Sequence, residues 1–140
     1  MSDLTELITG LPCFKAPSNI TPLGGGITNT NVTVEDEDCK YVVRIGSDIA
    51  EHGVMRWNEL ALSQAAYQLG ISPKVIYHKT GVLVLEFIDA QTLNEAAVRE
   101  PGNLKRIINL VAKTHRGIGK CLHSPILTVW PFQTTPTYMS

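Results

Sequence analysis

A run of three glycines early in the chain constrains its fold more than any other sequence feature. The run and the small polar residues behind it are Gly24, Gly25, Gly26, Thr28 and Asn29. Residues 31–34 then alternate between polar and apolar side chains, which predicts a β-strand. Because no helix follows the glycines and no Gly-Lys-Ser/Thr is present, the loop is not of the Walker type. The sequence therefore predicts a glycine loop between two strands, whose backbone N–H groups can approach an anion closely.

The composition is that of a globular chain with a small net charge. Of the 140 residues, 44% are apolar and 18% are charged, and the net charge is −1. A positive surface for nucleic acid or for an anionic membrane is therefore not expected. No apolar run approaches the ~18 residues that cross a bilayer, and the acidic N-terminus lacks the basic flank of a signal peptide. We expect a cytoplasmic protein with no nucleic-acid or membrane partner, and the oligomeric state stays open.

The cysteines and histidines give no sign of a metal or disulfide framework. Cys13, Cys39 and Cys121 are scattered, and no Cys-x-x-Cys pair occurs. His115 and His123 lie close to Cys121 in the sequence, but their spacing matches no common zinc ligand set. No metal site is predicted within this chain.

Turn residues and hydrophobic periodicity predict an α+β order of elements. A short N-terminal helix is followed by loop leading into a strand, and then by a hairpin whose solvated turn is formed by residues 35–38. A helix over residues 54–69 ends at Gly70, and residues 75–77 and 82–85 form a second hairpin. Thr92 opens a capping box, Pro101 interrupts the helix that follows, and a last helix runs over residues 103–115. Hairpins imply an antiparallel sheet, of about five strands.

Two opposite charges interrupt the apolar pattern in a way that predicts an ion pair. On the strand over residues 41–45, Arg44 shares a face with Val42. On the helix that follows, Glu59 belongs to an apolar stripe in which residues are spaced by three and four. A carboxylate in such a stripe is costly unless it is paired, and Arg44 is the natural partner. Each residue alone would usually face water, so an α+β domain without a ligand site is the alternative.

Several motifs resemble the choline/ethanolamine kinase and aminoglycoside phosphotransferase superfamily. The matching segments are Leu-Gly-Gly-Gly-Ile-Thr-Asn over residues 23–29, Tyr-Val-Val-Arg-Ile-Gly over 41–46, Asn-Glu at 58–59, Leu-Gly-Ile-Ser-Pro-Lys-Val over 69–75, Val-Leu-Val-Leu-Glu-Phe-Ile over 82–88 and Ala-Lys-Thr-His over 112–115. The resemblance covers about residues 19–116. It implies a protein-kinase-like N-terminal lobe over residues 1–88, with one helix packed on the sheet, and the start of a helical C-terminal lobe over residues 89–140.

The resemblance also implies a role for each matching residue. Gly24, Gly25, Gly26, Thr28 and Asn29 would cover the phosphates of ATP. Arg44 would contact those phosphates, and Glu59 would orient Arg44. Residues 86–88 would form the hinge, where backbone groups of Glu86 and Ile88 read the adenine edge. A plain strand end is the alternative for these hinge residues.

The implied reaction is transfer of the ATP γ-phosphate to an alcohol such as choline or ethanolamine. The resemblance places the catalytic Asp and the Mg²⁺ ligands after the helix that ends at His115, where this sequence contains no Asp, Glu or Asn. We therefore expect no catalytic residue in this chain, Mg²⁺ ligands outside it, and an inactive fragment. The alternatives are another acceptor (thiamine, an aminoglycoside or homoserine) and a truncated, non-catalytic nucleotide-binding or interaction module.

Overall fold

The computed structural model of the chain describes residues 2–24, 29–50 and 53–128. Within these ranges, the elements in chain order are α1 (Ser2–Thr9), β1 (Pro17–Leu23), β2 (Thr30–Asp36), β3 (Cys39–Ile45), α2 (Arg56–Gln68), β4 (Val75–Lys79), β5 (Val82–Glu86), α3 (Glu95–Arg99) and α4 (Pro101–Gly117), followed by a single 3₁₀ turn (Ile118–Lys120). None of the helices in the described ranges is long and apolar enough to cross a membrane.

The five strands form one antiparallel sheet in the order β1-β2-β3-β5-β4, as the sequence predicts. The expected strand in the segment before the glycines is β1, which pairs with β2 at the edge of the sheet. In the centre, Arg44 of β3 lies opposite Asn31 of β2 and Leu83 of β5. These three side chains therefore share one face of the sheet.

The hydrophobic core lies on the other face of the sheet, beneath α1. The buried members that α1 and the segment after it contribute are Ile8, Leu11 and Phe14. The strands contribute Val32, Val34, Val43, Val82 and Val84. Because side chains alternate along a strand, burying these valines under α1 turns Arg44 toward the opposite face, where α2 lies.

The first hairpin turn is shorter than the acidic run 35–38 predicts. Asp36 belongs to β2 and is only 6% exposed, rather than solvated. Its carboxylate accepts hydrogen bonds from the backbone N–H groups of Lys15, at 3.1 and 3.2 Å, and of Ala16, at 2.7 Å. These two N–H groups precede β1 and need an acceptor, which explains why an acidic side chain is buried there.

Helix α2 begins two residues later than predicted because Val54 is taken up by a backbone bridge. Val54 exchanges two backbone hydrogen bonds with Ile49, of 2.8 and 3.0 Å. The predicted end of the helix is confirmed. Gly70 has a φ of +70° and its N–H donates to the carbonyl of Tyr67, as glycine does after a helix.

The capping box predicted at Thr92 is wrong. Asn94 caps α3, and its Oδ1 accepts from the N–H of Ala97 at 2.9 Å. Helix α4 then begins at Pro101 itself, two residues before the predicted start. Proline fits the first turn of a helix, since its fixed φ is helical and its missing N–H is not needed there.

Candidate functional site

Arg44 and Glu59, which the sequence pattern pairs, are joined in the structure. The Nη1 atom of Arg44 lies 2.6 Å from Oε1 of Glu59, and the two side chains are 34% and 19% exposed. The Nε atom of Arg44 also donates to Oδ1 of Asn31 at 3.3 Å. Strand β3 supplies the cation, the first turns of α2 supply the carboxylate, and β2 supplies a third contact that fixes the guanidinium.

A second arginine, which the sequence analysis did not single out, completes the cluster. Nη1 of Arg56 lies 2.8 Å from Oε2 of Glu59, and the Arg56 side chain is 14% exposed. Its Nε donates to the carbonyl of Ser47 at 2.9 Å, and its backbone N–H donates to Asp48 at 2.7 Å. The signal that could have revealed Arg56 is its spacing of three residues from Glu59, which places both side chains on the same side of the helix.

The electrostatics of the cluster keep Glu59 ionised. Burial by itself would raise the pKa of the Glu59 carboxyl, but hydrogen bonds from Arg44 and Arg56, together with their charges, outweigh burial. The pKa of Glu59 is therefore lowered from its ordinary value of 4.5. The Glu59 carboxylate is shared between the two guanidinium groups, and Arg44 is the more exposed of the two cations.

The described end of the glycine loop lies beside this cluster. The position that a Cβ atom on Gly46 would take is 2.8 Å from Oδ1 of Asn29 and 2.7 Å from Nη2 of Arg56. Oδ1 of Asn29 is buried and accepts no hydrogen bond from the part of the chain that the structure describes. Gly24 directly follows β1, and no described atom lies within 4 Å of the position that a Cβ atom on it would take. Of the other predicted loop residues, Gly25, Gly26 and Thr28 lie outside the described residues.

The predicted hinge begins at Glu86, the last residue of β5, at the opposite end of the sheet from the glycines. Glu86 is exposed, and its N–H donates to the carbonyl of Lys74 at 2.9 Å. The N–H of Phe87 donates to the carbonyl of Lys40 at 3.2 Å, and Ile88 is 55% exposed. The N–H groups of Glu86 and Phe87 are thus used within the sheet, and Ile88 is the hinge residue that projects beyond it.

The predicted hinge and Arg44 lie on neighbouring strands, β5 and β3, at a defined separation. Arg44 lies opposite Leu83, and Glu86 follows Leu83 by three residues on β5. At the rise of a strand, this spacing is about 10 Å along the sheet. A single elongated ligand could therefore contact both ends.

Two clefts flank α2 at the cluster. One, of about 310 Å³, is lined by Arg44, Arg56 and Glu59 together with Trp57, Leu60 and Leu83. The other, of about 350 Å³, lies on the glycine-loop side of the helix, and its lining includes Asn29, Met55, Asn58, Glu59 and Leu62. In the described ranges, no three side chains of His, Cys, Asp or Glu converge as a metal site would require.

Comparison with known proteins identifies the fold. No protein-family model and no curated protein matches this sequence, so the wider aminoglycoside phosphotransferase superfamily is not confirmed. Among solved structures, an ethanolamine kinase of Plasmodium vivax is similar, with a TM-score of 0.60 and 20% identity over 86% of this chain. The chain spans 30% of the length of that kinase. The five-stranded antiparallel sheet of this chain, with its packed helices, has the α+β fold of a kinase N-terminal lobe.

Proposed function

We propose that this chain is the ATP-binding lobe of a small-molecule kinase, which transfers the γ-phosphate of ATP to an alcohol such as choline or ethanolamine. The observation that carries the proposal is the 2.6 Å ion pair between Arg44 and Glu59 on the sheet face opposite α1. In a kinase-like lobe, this is the place where a strand cation contacts the nucleotide phosphates and a helix carboxylate holds it. The fold shared with an ethanolamine kinase supports the same reading.

In this proposal, Arg44 binds phosphate with the N–H groups that the protein does not use. Its Nη1 is engaged by Glu59 and its Nε by Asn31, so the guanidinium is held in one orientation before the ligand arrives. The remaining N–H groups of the planar fork stay available for phosphate oxygens. The backbone of the glycine loop from Gly24 to Asn29 would add to this attraction.

The adenine base would lie toward the hinge in the same proposal. Backbone groups from Glu86 to Ile88 would read its edge, about 10 Å along the sheet from Arg44. Residues 1–88 then form the nucleotide-binding lobe, and residues 89–140 begin the helical lobe that carries the acceptor site. The acceptor itself could be choline, ethanolamine or another alcohol such as thiamine, an aminoglycoside or homoserine.

The described residues of this chain do not fit a Mg²⁺ ion. Among the described residues, no group of three His, Cys, Asp or Glu side chains could hold a metal ion, and the sequence contains no Asp, Glu or Asn after His115. Ligands for Mg²⁺ and a carboxylate that aligns the acceptor hydroxyl would have to come from outside this chain. The same observation favours a second candidate function, a non-catalytic module that binds nucleotide or a protein partner.

Thermal unfolding with and without ATP tests the proposal. We expect ATP to stabilise the wild-type chain more than adenosine does, because only ATP offers phosphates to Arg44. Arg44→Ala should remove this difference, and Arg106→Gln, at an exposed position of α4, should retain it. Equal stabilisation by ATP in wild type and Arg44→Ala, or no stabilisation of the wild type, would contradict the proposal.

An assay of phosphate transfer separates the two candidate functions. Incubation of the 140-residue chain with ATP, Mg²⁺ and either choline or ethanolamine is expected to give no phosphorylated alcohol. The same assay on a longer polypeptide that contains this chain should give product if the chain is a kinase lobe. Nucleotide binding with no product in either case would favour the non-catalytic module.

A further inference from the structure

Arg56 connects the start of α2 to the residues that directly follow β3. Its Nε donates to the carbonyl of Ser47, just after β3, at 2.9 Å. Its Nη1 donates to Oε2 of Glu59 at 2.8 Å. Its Nη2 lies against Gly46, where a Cβ atom would approach it to 2.7 Å. With 14% of the side chain exposed, Arg56 is the more buried of the two arginines around Glu59 and acts as a tie between β3 and α2.

The division of the Glu59 carboxylate between two partners matters for Arg44. Arg56 takes Oε2 at 2.8 Å, so Arg44 reaches only Oε1, at 2.6 Å, through a single Nη atom. A carboxylate with both oxygens available prefers to engage an arginine in a bidentate manner, which would occupy two N–H groups of the guanidinium. Arg56 therefore limits the number of guanidinium N–H groups that Arg44 donates to Glu59.

We propose that Arg56 is a positioning residue of the nucleotide site, which holds one oxygen of Glu59 so that Arg44 keeps N–H groups for phosphate. The inference rests on the function proposed above. Arg56 acts through Glu59 and not by touching phosphate, because only 14% of its side chain is exposed, against 34% for Arg44, and its Nη2 lies against Gly46.

Calorimetric titration with ATP and with adenosine tests this role in four forms of the chain. These are wild type, Arg56→Gln, Glu59→Gln and the double variant, with Arg106→Gln as the exposed control. We expect Arg56→Gln to weaken ATP binding about tenfold and adenosine binding less than about twofold. In the Glu59→Gln background, the same change at Arg56 should alter ATP binding by less than about twofold, because the residue through which Arg56 acts is already disabled.

Two outcomes would overturn the inference while leaving the proposed function intact. If Arg56→Gln weakens ATP binding equally with and without the Glu59 carboxylate, Arg56 contacts phosphate directly or acts independently of Glu59. If adenosine and ATP lose affinity to the same extent, Arg56 merely supports the fold. A wild-type chain that binds ATP no better than adenosine would instead refute the proposed function, and this inference with it.

A conservative variant covers the case in which Arg56→Gln does not fold. Arg56→Lys keeps the charge, but one ammonium group cannot reproduce the separate bonds to Ser47 and Glu59 that the planar fork makes. We expect Arg56→Lys to fold and to bind ATP more weakly than wild type by about threefold or more. Wild-type affinity for ATP in this variant would overturn the inference.

Discussion

Replacing Glu59 with glutamine leaves the shape of the side chain almost unchanged but removes the charge that two arginines share. Glu59 makes charge-assisted hydrogen bonds of 2.6 Å to Arg44 and 2.8 Å to Arg56. Such bonds contribute roughly 1.5–3 kcal/mol each, and a glutamine oxygen retains one weaker bond. Because Arg44 is 34% exposed, solvent screens part of the loss. We therefore expect Glu59→Gln to lower the free energy of unfolding by about 2 kcal/mol.

Urea denaturation measures this loss against a matched control. Glu37→Gln removes the same charge from the 3.1 Å pair with Lys15, whose side chains are 77% and 57% exposed. An exposed pair of this kind contributes less than about 1 kcal/mol. With m-values of roughly 1–3 kcal/mol/M, Glu59→Gln should lower the urea midpoint by about 1 M and Glu37→Gln far less. Equal midpoints for the two variants, at unchanged m, would refute the description of Glu59 as a buried, shared carboxylate.

Three further substitutions or conditions give distinct results. The pKa of Glu59 is lower in the folded chain than its ordinary value of 4.5. The Glu59 carboxylate therefore stabilises the fold fully above that pH, and this stabilisation is lost as the pH falls through the lower pKa of the folded chain. As the pH is lowered through this range, the urea midpoint of wild type should fall more steeply than that of Glu59→Gln. Gly46→Ala should lower the free energy of unfolding by about 1 kcal/mol in urea denaturation, because the new Cβ would lie 2.7 Å from Nη2 of Arg56. Gly102→Ala is the control and should not lower it, because nothing lies within 4 Å of its Cβ position. Asp36→Ala should cost about 2 kcal/mol in urea denaturation because two backbone N–H groups lose their acceptor.

Each of these expectations can fail in a specific way. Parallel pH profiles for wild type and Glu59→Gln would show that the carboxyl titrates alike in the folded and unfolded chain. A Gly46→Ala variant as stable as wild type would mean that Arg56 moves aside without loss. An Asp36→Ala variant of wild-type stability would mean that water replaces the carboxylate at those N–H groups.

The sheet and the central ion pair were predictable because both depend on local periodicity. Alternation along β3 fixes which face Arg44 occupies, and the three-four spacing on α2 places Glu59 on the helix side that meets it. The two hairpins follow from short apolar runs separated by turn residues. In such cases, a few neighbouring residues contain the information that the fold uses.

The features that sequence reasoning missed, or left without bounds, depend on distant contacts or on competing local signals. Strand β1 contains Pro17 and Pro22 and is mostly exposed, as proline permits at a sheet edge, so its boundaries carry little hydrophobic pattern. The role of Asp36 comes from N–H groups about twenty residues earlier in the chain. Thr92 and Asn94 are both good capping residues, and only the path of the chain selects Asn94. The spacing of Arg56 from Glu59 is a local signal, but the contact of Arg56 with Ser47 depends on the path of the chain after β3, which no local pattern shows.

Nitrogen-15 NMR spectra of the labelled chain during titration with ATP and with adenosine test the central claim most directly. The account predicts that ATP shifts the signals of Asn29, Asn31 and Arg44, including the Arg44 side-chain Nε–H, together with Ile88 at the hinge, and leaves α1 unchanged. Adenosine should shift Ile88 but not Arg44. Shifts confined to α1 or α4, or an Arg44 signal that responds equally to both ligands, would contradict the claim that Arg44 and Glu59 form a phosphate site on this face of the sheet.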